Sequence, residues 1–228
     1  RSGQYIVETG SLLMQDPFSH TMAGQDWFDH SWLAQLLLWG IYHAAGLGGL
    51  ALALAVIVTA TFAAVFLCCE GSLYVRAFAL VLAALTSAVC WAARPQILSF
   101  FLTGIFLYIL HLYKWRRVDR LYLIPMLFIL WVNVHGGFVV GFILLGLYIV
   151  GELANNLMGL GDAPILGGRQ ILTLIGVAVA SVGAALVNQV VSVSATYVSE
   201  DDGWTATNAL RVDLAAHCLR LDLAWHKG

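Results

Sequence analysis

The sequence predicts an all-α, polytopic integral membrane protein with about five to six transmembrane helices and an interfacial helix. Three observations carry this. Apolar residues make up 61% of the 228-residue chain and charged residues only 11%, where a soluble domain carries about 25% charge. The mean hydropathy is +0.85. The apolar residues also come in long uncharged runs, and a run of ~20 such residues crosses a bilayer. Eight Trp and eight Tyr suit aromatic belts at the two interfaces. A net charge of −2 gives no reason to expect nucleic acid as a partner.

Residues 1–30 are polar and hold Glu8, Asp16, Asp26 and Asp29 against one base, Arg1. The opening RSGQYIVETG lacks a basic segment followed by an apolar one, so it does not read as a signal peptide. Residues 31–45 form an apolar helix too short to span comfortably, ending at Gly46, Gly48 and Gly49. It is expected to lie along the interface and feed the next helix. Together 1–45 make an outer-face segment, 46–188 a transmembrane helical domain and 189–228 a polar tail.

The first clear span is Leu50 to Cys69, the second about Tyr74 to Ala92, the third Gln96 to Tyr113. KWRRVDR follows, the densest basic cluster, with Lys114, Arg116, Arg117 and Arg120 against Asp119. Two shorter apolar helices, Leu121–Val132 and Phe138–Leu153, flank the break Asn133-Val134-His135-Gly136-Gly137. The Gly pair admits backbone angles that other residues avoid, so a sharp reversal is expected there. Gln170 to Val187 is the last span. In the tail, Leu210 to Trp225 has only loose amphipathic spacing, and Glu200-Asp201-Asp202 reads as a solvated turn before it reads as a metal site.

The positive-inside rule places KWRRVDR in the cytoplasm. Counting spans outward puts residues 1–45, the Trp91–Pro95 turn, the Asn133–Gly137 break and the tail on the opposite face. That face gathers Asp16, His20, Asp26, Asp29, His30, Arg94, Gln96, Asn133 and His135. Carboxylates, imidazoles and an arginine at one membrane boundary suit acid–base work, a divalent metal ion or a bound phosphate. An outer loop that is merely wet is polar too. Asn133 and His135 interrupt an apolar stretch, where polar groups face a cavity or a partner helix, or satisfy broken helix ends. Arg94 before Pro95 also suits a side chain reaching the headgroups. Cys68, Cys69, Cys90 and Cys218 show no metal spacing. Phosphate loops, dinucleotide fingerprints and a nucleophile elbow are absent from the sequence.

Three strings carry a resemblance: residues 3–38 (GQYIVETGSLLMQDPFSHTMAGQDWFDHSWLAQLLL), 94–110 (RPQILSFFLTGIFLYIL) and 127–153 (LFILWVNVHGGFVVGFILLGLYIVGEL). Together they resemble bacterial polytopic membrane proteins related to the GT-C glycosyltransferases, of the protein O-mannosyltransferase and aminoarabinose-transferase types. The resemblance covers roughly residues 1–188. It implies an inner-membrane enzyme moving a sugar from a polyprenyl-phosphate carrier at the outer face, with a carboxylate base and often a divalent metal. By that resemblance the catalytic positions are Asp16, Asp26, His30 and His135, and the substrate-binding positions are Arg94 and Asn133. Relatives carry a first helix and an acidic motif before the stretch matching RSGQYIVE, and further spans after Asn188. The chain therefore reads as a shortened interior fragment.

A second expectation stands beside the first: a non-catalytic transmembrane subunit packed in a larger membrane complex, respiratory or photosynthetic. An enzyme requires Asp16, Asp26, Arg94 and His135 to converge. A subunit requires them to be dispersed or spent on packing. Membrane lipid is a partner under both.

Overall fold

The structure, a computed structural model, describes residues 1–21, 24–25, 29, 31–159 and 165–191. It is all-α: the described residues form helices, turns and connecting segments, without a strand. The chain divides into a compact unit Arg1–Asn188 and a second unit Gln189–Gly228. The tail features at 200–202 and 210–225 lie outside the described residues.

Helix α1 (Ser2–Thr9) stops at Gly10, whose left-handed φ of 68° closes the last turn through a hydrogen bond to Ile6 O. Helix α2 (Trp32–Cys68) joins the expected interfacial helix to the first span. The two halves meet at Gly46, with φ 61° and ψ −155°, a conformation open essentially to glycine alone. The sequence break thus becomes a kink inside one helix. Helix α3 (Leu73–Ser87) starts at Ser72, whose side chain accepts from Val75 N, and runs into a 3-10 turn, Ala88–Cys90. Helices α4 (Gln96–Trp115), α5 (Leu123–Val134), α6 (Phe138–Met158) and α7 (Gly168–Val191) complete the set. Among the described residues, five helices are long and apolar enough to cross a membrane: α2, α3 with its 3-10 extension, α4, α6 and α7.

The core sits between α4, α5 and α6. Phe106, Phe128 and Trp131 are fully buried. Phe128 stacks on Phe142 with ring centroids 4.0 Å apart and meets Phe106 edge-on at 5.7 Å. Gly141 permits this packing, because a Cβ there would come within 3.0 Å of the Phe128 and Trp131 rings. Gly104 does the same for α2, where the added atom would lie 3.1 Å from Thr61 Cγ2. Small residues that let helices approach are the usual device where lipid competes equally for apolar surface. Gly146, by contrast, faces open space.

Helices α4 and α6 run parallel in a fixed register. Tyr148 Oη donates to Leu110 O at 3.1 Å, and Lys114 Nζ donates to Glu152 Oε1, both pairs separated by 38 residues. Gly137 sits against Ser99 at the same offset, with a virtual Cβ only 2.7 Å from Ser99 Oγ. The two ends of this register are ~22 Å apart at 1.5 Å per helical residue. Helix α5 has only 12 residues. With its flanking turns it returns from the Lys114 end to the Ser99 end.

At the Lys114 end, part of the KWRRVDR cluster is spent on packing. Lys114 is buried and paired with buried Glu152, and Glu152 Oε2 also accepts from Leu166 N at 3.0 Å. Arg117, in the left-handed region at φ 54°, donates to Gln170 Oε1 and Ile165 O. Arg116 and Arg120 remain exposed.

Candidate functional site

The Ser99 end is where the N-terminal segment, the Asn133–Gly137 break and the end of α7 meet. Asn133 is the hub. Its Nδ2 donates to Ile129 O at 2.8 Å and to Asn188 Oδ1 at 3.0 Å, and its Oδ1 accepts from Trp32 Nε1 at 3.2 Å. One side chain therefore ties α5 to α2 and α7. Asn188 Nδ2 is left buried without a partner.

Beside it lies a second small network. Trp131 Nε1 donates to Ser99 Oγ at 2.8 Å, and Ser99 Oγ lies 3.1 Å from His135 Nδ1. The backbone N–H of Gly137 donates to the same Nδ1 at 2.9 Å. A nitrogen that accepts from a backbone N–H carries its lone pair, so Ser99 donates and the neutral ring holds its proton on Nε2. The lone pair that would take the serine proton is shared with Gly137. The arrangement orients the imidazole more than it activates the hydroxyl.

The remaining expected residues fall as follows. Asp16 is buried at 4% exposure. Its Oδ1 accepts from Phe18 N at 2.8 Å and Ser19 N at 3.0 Å, and its backbone pairs with Gln25 and Gly24. It organises its own turn. The Ser19 hydroxyl foremost, then the Phe18 and Ser19 amides, hold its carboxyl below the ordinary 3.8. Arg94 is exposed in the turn that leads into α4, and its side chain makes no hydrogen bond or ion pair among the described residues. Its place just before Ser99 puts it at the same end of the bundle. Asp26 and His30 lie outside the described residues. Asp29 Oδ1 accepts from Ser31 N and from Gln35 Nε2 at 2.8 Å. His20 and Gln96 are exposed. Among the described residues, no group of three His, Cys, Asp or Glu is placed to hold a metal ion.

Sequence reasoning passed over Ser99, Trp131, Trp32 and Asn188 at this end, and the Lys114–Glu152 pair at the other. Glu152 was the legible one. A lone carboxylate inside an apolar run calls for a buried partner.

No family model matches the chain, and neither a curated protein nor a solved structure matches it significantly.

Proposed function

We propose that this chain forms the lipid-substrate end of a membrane glycosyltransferase of GT-C type, acting on a polyprenyl-phosphate sugar at the face that carries Arg94 and Asn133. The observation behind it is the meeting of Trp32, Ser99, Asn133 and His135 at one end of the bundle. These four come from all three strings that carry the family resemblance. In this reading Arg94 pairs with the carrier phosphate, and Asn133, Asn188 and His135 shape the acceptor side. An acceptor hydroxyl oxygen attacks the anomeric carbon. The bond from that carbon to the phosphate oxygen breaks, the phosphate leaves with the electron pair, and the hydroxyl proton passes to a base. Asp16, its anion already stabilised by three donors, is a weak proton acceptor. The base role goes to Asp26 or His30. In this reading the positive-inside rule puts the Arg116–Arg120 end in the cytoplasm, and the family resemblance supplies the bacterial inner membrane as the location.

The test is transfer of labelled sugar from polyprenyl phosphate by the purified chain in lipid nanodiscs, with Arg94→Gln beside it. Loss of one charge-assisted phosphate contact should lower carrier binding about tenfold. Carrier binding unchanged by Arg94→Gln would sink this reading.

A second reading, a non-catalytic subunit of a larger membrane complex, is favoured by one specific observation. Asn133 and His135 spend hydrogen bonds on packing, Asn133 with Ile129 O, Trp32 and Asn188, and His135 with Gly137 N. Stoichiometric partner chains in a mild-detergent preparation, with no transfer activity, would select it.

A further inference from the structure

The side of the bundle formed by α2 and α3 carries a groove that neither reading uses. It has a volume of about 760 Å³ and is lined by one stripe of α2, including Ala51, Ala55, Val58, Phe62 and Phe66, facing Ala84 and its neighbours on α3. The gap has a sequence cause. Four of its twelve lining positions, Ala51, Ala55, Ala63 and Ala84, are alanines, too small to fill the space, and α3 buries none of its 15 residues. Trp91 also lines the groove, its ring 6.0 Å from Phe62 and tilted edge-on.

One end of the groove is unlike its walls. At the Phe66 end, Arg76 donates from Nη2 to Phe66 O at 2.6 Å, and its guanidinium lies 3.8 Å from the centre of the Phe66 ring. Its Nε is buried with no partner. Trp91 Nε1, against Phe62, is likewise buried and unpaired. Phe66 O takes one of the Arg76 guanidinium's N–H groups, but no carboxylate pairs with its charge among the described residues, and a charge in a hydrocarbon setting calls for an anionic oxygen. No carboxylate lines the groove. Glu70, in the turn after α2, is exposed and acts on His111 of α4. That places the Arg76 end on the same side as Lys114 and the basic turn, where anionic headgroups are attracted.

We infer that the α2–α3 groove is a binding site for one anionic glycerophospholipid, with a phosphate or ester oxygen on the Arg76 guanidinium and an acyl chain along the Ala55–Phe66 stripe. The site belongs to the leaflet opposite Arg94. It is independent of the transferase reading and of the polyprenyl carrier.

The full chain, stripped of lipid in mild detergent and titrated with phosphatidylglycerol or phosphatidylcholine, would be read by native mass spectrometry. One phosphatidylglycerol should be retained, about tenfold more tightly than phosphatidylcholine, the size expected of a charge-assisted contact. Arg76→Gln should abolish that preference. Ala84→Phe, which fills the groove and leaves Arg76 intact, should lower retention of both lipids. Arg94→Gln should change neither. Equal retention of the two lipids by the parent chain would overturn the site. So would unchanged retention in Ala84→Phe, displacement of the lipid by polyprenyl phosphate, or a second copy of the chain shielding the groove.

Discussion

Lys114 of α4 and Glu152 of α6 form a buried ion pair at one end of two parallel helices, 38 residues apart in sequence. Glu152 completes its coordination with the Leu166 amide, and Asn156 Nδ2 donates to Leu166 O at 2.8 Å. Leu166 is thereby tied to α6 and, through the Glu152–Lys114 pair, to α4.

Removing one partner leaves the other charge buried and alone, which costs about 3–5 kcal/mol. Glu152→Gln and Lys114→Met are each expected to destabilise the fold by that order. The double variant Lys114→Met with Glu152→Leu should recover much of the loss. Unfolding in mixed micelles gives the double-mutant cycle. Additive losses would show that the two side chains are not coupled.

Glycine substitutions should split by position. Gly137→Ala meets Ser99 Oγ at 2.7 Å and His135 Nδ1 at 3.0 Å, and Gly141→Ala meets two aromatic rings at 3.0 Å. Overpacking of this kind costs ~1–3 kcal/mol. Gly146→Ala points into open space and should be neutral or slightly stabilising through helix propensity. Thermal unfolding of the three variants checks this, and equal midpoints would refute the parallel α4–α6 packing.

The kink at Gly46 gives a third expectation. Its φ of 61° with ψ of −155° is essentially closed to a residue with a Cβ, at a cost of ~1–3 kcal/mol. Gly46→Ala should straighten α2. Spin labels at Ala34 and Leu54, on either side of the kink, should then move apart. An unchanged distance distribution would mean that the bend is set elsewhere.

Asp16 gives a pH dependence. Its folded-state pKa is depressed by the Ser19 hydroxyl and the Phe18 and Ser19 amides. Its contribution is therefore complete above the ordinary value of 3.8 and is lost as the pH falls through the lower folded value. Asp16→Asn should remove that acid-side loss and expose the 16–19 turn to proteolysis at neutral pH. A variant as protease-resistant as the parent would refute the turn's dependence on this carboxylate.

The resemblance pointed to Asp16 as a catalytic position, and its hydrogen bonds give it a structural task. The signal was present, since an Asp followed two and three residues later by free backbone amides is a common turn former. For Asn133 and His135 the sequence left function and helix-end satisfaction open. In the structure Asn133 bonds back to Ile129 O and across to Trp32 and Asn188, and His135 Nδ1 accepts from Gly137 N.

The sequence alone determined the class of fold, the apolar helices to within a few residues, the breaks at Gly46 and Asn133–Gly137, and the basic turn. These follow from composition along a local stretch, because hydrocarbon requires every backbone polar group to be satisfied within its own helix. The tertiary structure decided which polar groups meet. Lys114 looked like one more interfacial cation until the register of α4 against α6 brought it to Glu152. Ser99 looked like an ordinary helix residue until α5 carried Trp131 and His135 to it. Such pairings depend on how helices far apart in sequence are set against one another, and no local pattern encodes that register.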